Sequence, residues 1–274
     1  MTGIPSATDA AGPSLAGPSK GLIRIIHVYP REMSIYGDLG NTRALAWRAR
    51  RHGYDVEVLD HHPGAPWPRD AHLLMGGGGQ DSGQARVEED LAANAATLRA
   101  LAADGVPMLM ICGMYQLFGN AFVTVEGLEL PGLGILDVTT RGRTHRMIGR
   151  VVVDSPMGVV VGYENHSGAT TLGPGQQPFA RVRVGHGNNG SDGTEGALRD
   201  HVIGCYLHGP VLPANPAVAD WLIGYAAQVA TGRDFEPGPI DDAVADQART
   251  RQVHRVTELA SPRPLSRWRR KVGL

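Results

Sequence analysis

Four short apolar runs, each leading into chemically unusual residues, limit the folds open to this chain more than any other feature. LIRIIHVY (22–29), AHLLMGGGG (71–79), VPMLMIC (106–112) and VIGCYLHG (202–209) read as buried strands. YDVEVLDH (54–61) reads as a further strand. Helical spacing falls between them. NTRALAWRARRHG (41–53) places Leu45, Trp47 and Ala49 at helical spacing, with Gly53 as its stop, and residues 86–104 are rich in Ala and Leu. Strand and helix alternating at this interval are the pattern of a parallel α/β sheet. GILDVTT, GRVVVD and GVVVGYEN differ: they are short alternating strands separated by Gly and Pro, a more antiparallel pattern. PAVADWLIGYAAQVA (216–230) is an amphipathic helix, and residues 241–259 form a last one. No internal repeat is present. The expectation is one α/β domain over 21–260, with an open, mostly parallel sheet flanked by helices.

Composition removes several function classes. Of 274 residues, 42% are apolar and 19% charged, with a net charge of −1, so nothing marks a nucleic-acid partner. Two cysteines, Cys112 and Cys205, make no disulfide framework and carry no metal-ligand spacing; they read as free thiols in a reducing cytoplasm. Residues 1–20 lack a basic start and an apolar stretch, and read as a disordered tail rather than a secretion signal. No apolar run reaches the 18 or so residues that a membrane span requires. The tail at 261–274 sets Arg263, Arg267, Arg269, Arg270 and Lys271 around Trp268, and reads as solvated.

In open parallel sheets, ligands bind beyond the carboxyl ends of the strands. Cys112 stands there, between Ile111 and Gly113, where a strand stops and a helix begins. Such a turn aims a side chain out of the sheet edge, and the helix dipole favours a thiolate. Cys205 lies inside a strand and reads as core. His208 ends its run at the same sheet edge, a position that suits a general base. His166 in YENHSG and His186 in VGHGNN compete with it, but both are expected in glycine-rich loops with structural hydrogen bonds. GGGGQD (76–81) carries no phosphate-loop continuation. Its backbone N–H groups either converge on an oxyanion or serve only a tight turn.

Seven motifs now stand in order: GDLGN (37–41), GGGGQD, ICGMYQLFG (111–119), LPGLGILD (130–137), GYENHSG (162–168), GHGNN (185–189) and YLHGP (206–210). Together they resemble class I, triad-type glutamine amidotransferase domains of the cobyric-acid-synthase-like branch. Within that branch they resemble the glutaminase subunits of lipid II isoglutaminyl synthases. The resemblance spans roughly 22–250. It implies that Cys112 attacks the amide of L-glutamine, that His208 is its base, and that backbone at Gly78 and Gly79 holds the oxyanion. It assigns Arg146, in RTHRMIG, to the substrate α-carboxylate, although RGRTHR offers three arginines and a solvated role stays open. Gln116, in the cysteine motif, joins the substrate-binding residues.

The same resemblance implies a heterodimer with a MurT-like Mur ligase subunit. No cofactor is expected in this chain, which has no ATP-binding signature; ATP and Mg are expected in the partner. Ammonia would amidate the D-glutamate α-carboxylate of the lipid II stem peptide in peptidoglycan biosynthesis. The complex would be cytoplasmic, at the inner membrane face. One departure stands out. Triad amidotransferases carry a Glu two residues after the His, and here that residue is Pro210. Asp38 either orients the imidazole in its place or caps the helix that comes after it. Three rivals stay open: a glutaminase for another cobyric-acid-synthase-like amidation, a stand-alone cysteine γ-glutamyl hydrolase, and an inactive scaffold.

Overall fold

A computed structural model describes residues 18–79 and 81–260. The tail expected at 261–274, and all but the last three residues of the one expected at 1–20, lie outside the described residues. In chain order the first elements are β1 (Leu22–Val28), α1 (Leu39–Arg51), β2 (Asp55–His61), β3 (Leu73–Gly76), α2 (Asp81–Ala93), α3 (Ala95–Ala103), β4 (Met108–Ile111) and α4 (Gly113–Phe118). Next come β5 (Ala121–Val123), β6 (Glu129–Pro131), β7 (Val138–Ser155), β8 (Gly158–Leu172), β9 (Ala180–Val184) and β10 (Thr194–Glu195). The chain continues through β11 (Ala197–Arg199), β12 (Val202–Cys205), α5 (Val211–Ala214), α6 (Pro216–Thr231) and α7 (Ala243–Ala260).

The apolar runs form the centre of a six-stranded sheet, ordered β11-β12-β4-β3-β1-β2. All its pairings are parallel except that of β11 with β12. Every residue of β3, β4 and β12 is buried, which is why these strands are apolar throughout rather than alternating. α1 and α6 pack side by side against this sheet, while α4 packs against β4 and β12 with α2 beside it. The helix expected over 86–104 starts earlier and is divided at Asn94, whose side-chain amide donates to the Asp90 carbonyl at 2.8 Å.

The middle of the chain departs furthest from expectation. It builds a second six-stranded sheet, β10-β9-β7-β5-β6 with β8 paired to β7. GILDVTT and GRVVVD are not separate strands. Both contribute to β7, an 18-residue strand that runs through the charged stretch RGRTHR and shifts register between Gly142 and Met147. β8, 15 residues long, pairs with it antiparallel, so YENHSG, and with it His166, lies in a strand and not in a loop. The two sheets share one core: Val151, Val153 and Val160 belong to the same buried cluster as Ile25, Leu74 and Met110.

The sheets are also joined by one crossing of the backbone. The ladder of β12 ends at Cys205, because the Tyr206 amide donates to Glu195 Oε1 at 2.6 Å. Two residues later His208 exchanges backbone hydrogen bonds with Tyr163 of β8, at 2.8 and 3.1 Å. His208 is therefore held by the second sheet, beyond the strand that was expected to end with it. Among the described residues, no helix is long and apolar enough to cross a membrane.

Candidate active site

Cys112 occupies the elbow between β4 and α4 with φ 53° and ψ −105°, a conformation L-residues rarely adopt. Two bonds hold it there: its amide donates to the Cys205 carbonyl at 2.8 Å, and its carbonyl accepts from the Gln116 amide at 3.0 Å. Cys205, one strand away, is buried in the core, and that burial pushes its thiol pKa well up. Cys112 stands just past the end of β4, the strand paired with the one that carries Cys205, and it reaches a cavity.

Three side chains converge on Gly78. A methyl carbon built there would lie 2.8 Å from His208 Cε1, 3.3 Å from Cys112 Cβ and 3.5 Å from Asp38 Oδ2. Only glycine leaves room for all three. Asp38 does not cap α1 with its side chain. One carboxylate oxygen accepts the Gly78 amide at 2.7 Å, and the other lies 3.7 Å from His208 Nδ1, ion-pair range but too long for a hydrogen bond. Pro210 packs against the first turn of α1, where a methyl carbon on Gly40 would lie 2.9 Å from Pro210 Cβ. The loop that lacks the family glutamate thus docks His208 beside Asp38.

Burial alone would lower the His208 pKa, but interactions with Asp38 and Cys112 outweigh it and raise it to about 10. An imidazolium beside the Cys112 sulfur is the charge pattern of an activated thiol. The Gly78 amide is already taken by Asp38, so it is not free to hold an oxyanion, contrary to expectation. The neighbouring amide of Gly79 lies within 3.1 Å of where a Gly113 methyl carbon would stand, so Gly79 and Gly113 bring their backbones together at the elbow.

Cys112 opens onto a cavity of about 540 Å³. Arg146 lies in its wall on β7, pinned by Asn165, whose side-chain oxygen accepts from the guanidinium at 2.8 and 3.1 Å. Arg143 instead donates to the Asn189 carbonyl, and so serves the scaffold. Gln116 lines the cavity with its amide donating to Tyr206 Oη at 3.1 Å and accepting from Gln84 Nε2 at 2.7 Å. Reading the sequence missed three neighbours. Gln84 lies shortly after the glycine run, Asn165 adjoins His166 inside GYENHSG, and Tyr36 packs edge-on to His208 at 4.6 Å. Their proximity to those motifs was the only signal available.

The competing histidines have structural partners. His166 stacks on Tyr206 at 3.6 Å and bonds the Gly168 carbonyl, and burial lowers its pKa to about 3. His186 Nδ1 lies 2.7 Å from the buried carboxylate of Glu164. A cationic imidazole, a thiol at an elbow and an arginine across one cavity are the parts needed to form and break an acyl–sulfur bond on a substrate bearing a carboxylate.

The family of CobB/CobQ-like glutamine amidotransferase domains matches residues 24–216. The chain belongs to this family. Among curated relatives of the amidotransferase, the lipid II isoglutaminyl synthase (glutamine-hydrolyzing) subunit GatD of Staphylococcus aureus is 37% identical, over 83% of this chain and 93% of its own length. GatD of Streptococcus pneumoniae is 32% identical over 82% and 88% respectively. The cobyric acid synthase of Sphingopyxis alaskensis is 33% identical over 73% of this chain and 40% of itself. A solved glutamine amidotransferase superposes with a TM-score of 0.50 at 15% identity, over 73% of this chain and 98% of its own. That last likeness bears on the fold alone.

Proposed function

We propose that this chain hydrolyses L-glutamine and passes the ammonia to an ATP-dependent ligase subunit, as a lipid II isoglutaminyl synthase does. The observation that carries the reading is the meeting of Cys112, His208 and Asp38 around Gly78, with Cys112 in the wall of a cavity that Arg146 also lines. Arg146 and Gln116 hold the glutamine, the guanidinium taking its α-carboxylate. The Cys112 sulfur attacks the side-chain amide carbon, and the oxyanion that forms is met by the amides of Gly79 and Gly113. His208 then gives its proton to the departing nitrogen, releasing ammonia and leaving a γ-glutamyl thioester. The now neutral imidazole draws a proton from water, which cleaves the thioester and yields glutamate and the free thiol. Asp38 holds the imidazole in place through both changes of charge.

The acceptor belongs to the second chain. In this reading a MurT-like Mur ligase subunit, using ATP and Mg, activates the D-glutamate α-carboxylate of the lipid II stem peptide, and ammonia converts it to D-isoglutamine. The pair works in the cytoplasm, at the membrane face where its lipid-linked substrate lies. Co-expression of the two chains, with assay of lipid II amidation by glutamine and ATP, tests this. The expected result is amidation that Cys112→Ala abolishes with glutamine but not with added ammonia. Glutamine-driven amidation that survives Cys112→Ala sinks the reading. Release of ammonia from substituted γ-glutamyl amides without any partner would favour a stand-alone hydrolase.

A further inference from the structure

His208 borders a recess of about 420 Å³, distinct from the cavity that Cys112 enters. Its walls come from β7, β8, the segment after β12, and α7. Arg150 of β7, and Arg251 and Arg255 one turn apart on α7, all line it, and no acidic residue does. Two arginines close by are matched: Arg249, also on α7, pairs with Asp246, and Arg183 of β9 pairs with Asp154. The recess arginines have no ion pair among the described residues. The recess thus gathers three guanidinium charges, beside an imidazole that already faces Asp38. The three are exposed and like-charged, and their mutual repulsion is relieved by a carboxylate brought between them.

The hairpin links this recess to the Cys112 cavity. Strand side chains alternate, so Arg146, Ile148 and Arg150 share one face of β7, with Asn165 and Tyr163 opposite Ile148 and Arg150 on β8. Arg146, Ile148 and Asn165 line the Cys112 cavity, while Arg150 and Tyr163 line the recess. Between the charges, Ile148 is 50% exposed and Tyr163 is 41% exposed. Exposed apolar and aromatic side chains beside arginine are the composition of a protein interface, and they offer nothing to a free phosphate. The chain's own C-terminal segment does not complement the site: residues 261–274 hold five basic residues and no acidic one.

We propose that the recess and the adjoining hairpin face bind a carboxylate-bearing segment of the ammonia-accepting subunit, seating that chain over the Cys112 cavity. The inference rests on the proposed two-chain function and names the face and chemistry of the contact. Carboxylates entering the recess would form charge-assisted hydrogen bonds with Arg150, Arg251 and Arg255, and bring the acceptor chain next to His208, the residue that protonates the departing nitrogen as ammonia leaves.

The test measures binding of the full chain to the co-expressed ligase subunit, and separately to a Glu-rich peptide, each at low and high salt. Arg150→Glu/Arg251→Glu/Arg255→Glu is compared with Arg233→Glu, on the loop after α6, and each variant is checked for unchanged melting. Binding of both probes is expected to weaken at least about tenfold in the triple variant and to fall with salt in the wild type. Equal affinity of wild type and triple variant for the subunit overturns the proposal while leaving the two-chain reading intact. Loss of peptide binding in the triple variant, with no subunit complex even in the wild type, supports the recess and counts against the two-chain reading. Inorganic phosphate binding in place of the peptide overturns the protein segment as occupant. A triple variant that melts early is replaced by Arg→Gln variants, read against the wild-type salt dependence.

Discussion

The parallel sheet and the β7–β8 hairpin meet across one cavity and contribute opposite things to it. The parallel sheet ends in the groups that carry the chemistry: Cys112 at the elbow after β4 and His208 just beyond β12, which change charge, with Asp38 after β1 beside the imidazole. The hairpin contributes groups that keep theirs, Arg146 foremost, fixed by Asn165 across the strand pair. The result is a division of labour, with bond making on one side and substrate holding on the other. Changes on the sheet side should therefore lower kcat, and changes on the hairpin side should raise KM.

The largest effect tests the sheet side. Cys112→Ala should reduce ammonia release from glutamine by more than about 10⁴-fold without lowering the melting temperature. In the wild type, a glutamine-like electrophile should label Cys112 and leave Cys205 untouched. Labelling at Cys205, or activity surviving the substitution, breaks the comparison. His208→Ala comes next, with kcat expected to fall by about 10²–10⁴-fold and KM nearly unchanged.

The hairpin side is probed more gently. Arg146→Gln should raise KM for glutamine by roughly 10–100-fold, the cost of a charge-assisted carboxylate contact, with kcat kept within a few-fold. A fall in kcat at constant KM would place Arg146 with the chemistry and erase the distinction between the two sides.

The smallest effect is on stability. His208 has a folded-state pKa raised to about 10, above its ordinary 6.5. Its contribution is complete below about pH 6.5 and is lost as pH rises toward 10. Buried Glu195, raised to about 8 chiefly by its burial, loses stability in part of the same window, so the comparison must be with a variant. Asp38→Asn removes the charge facing His208 and should flatten the decline of melting temperature between pH 6.5 and 10. An unchanged slope would show that Asp38 acts only on the Gly78 amide.

The two sides also differ in how legible they were. β1, β3, β4 and β12 could be read directly, because strands covered on both faces leave no choice but continuous apolar sequence. The elbow was legible too, since Cys-Gly after an apolar run has few other uses. The hairpin was not. β7 carries RGRTHR across a register shift, so its middle shows no alternation, and the strand looked like two fragments. A glycine misled as well. Gly168, at the end of YENHSG, read as a loop residue, yet a methyl carbon there would come within 2.8 Å of Thr140, so it is a glycine of close packing within a strand. The choice between capping and orientation for Asp38 needed coordinates, because both uses ask for the same side chain at the same place.

The backbone at Cys112 carries a final consequence. With φ at 53° and ψ at −105°, the position is one where glycine is at ease and a side chain costs about 1–3 kcal/mol. The chain therefore folds around a residue that disfavours its own fold, and replacing the sulfur-bearing residue by glycine should give a protein more heat-resistant than the active one. For anyone seeking a stable, inert copy to trap glutamine in place, Cys112→Gly is then a better choice than alanine. For the lineage, it makes the thiol a standing expense in durability, retained only while its chemistry is used.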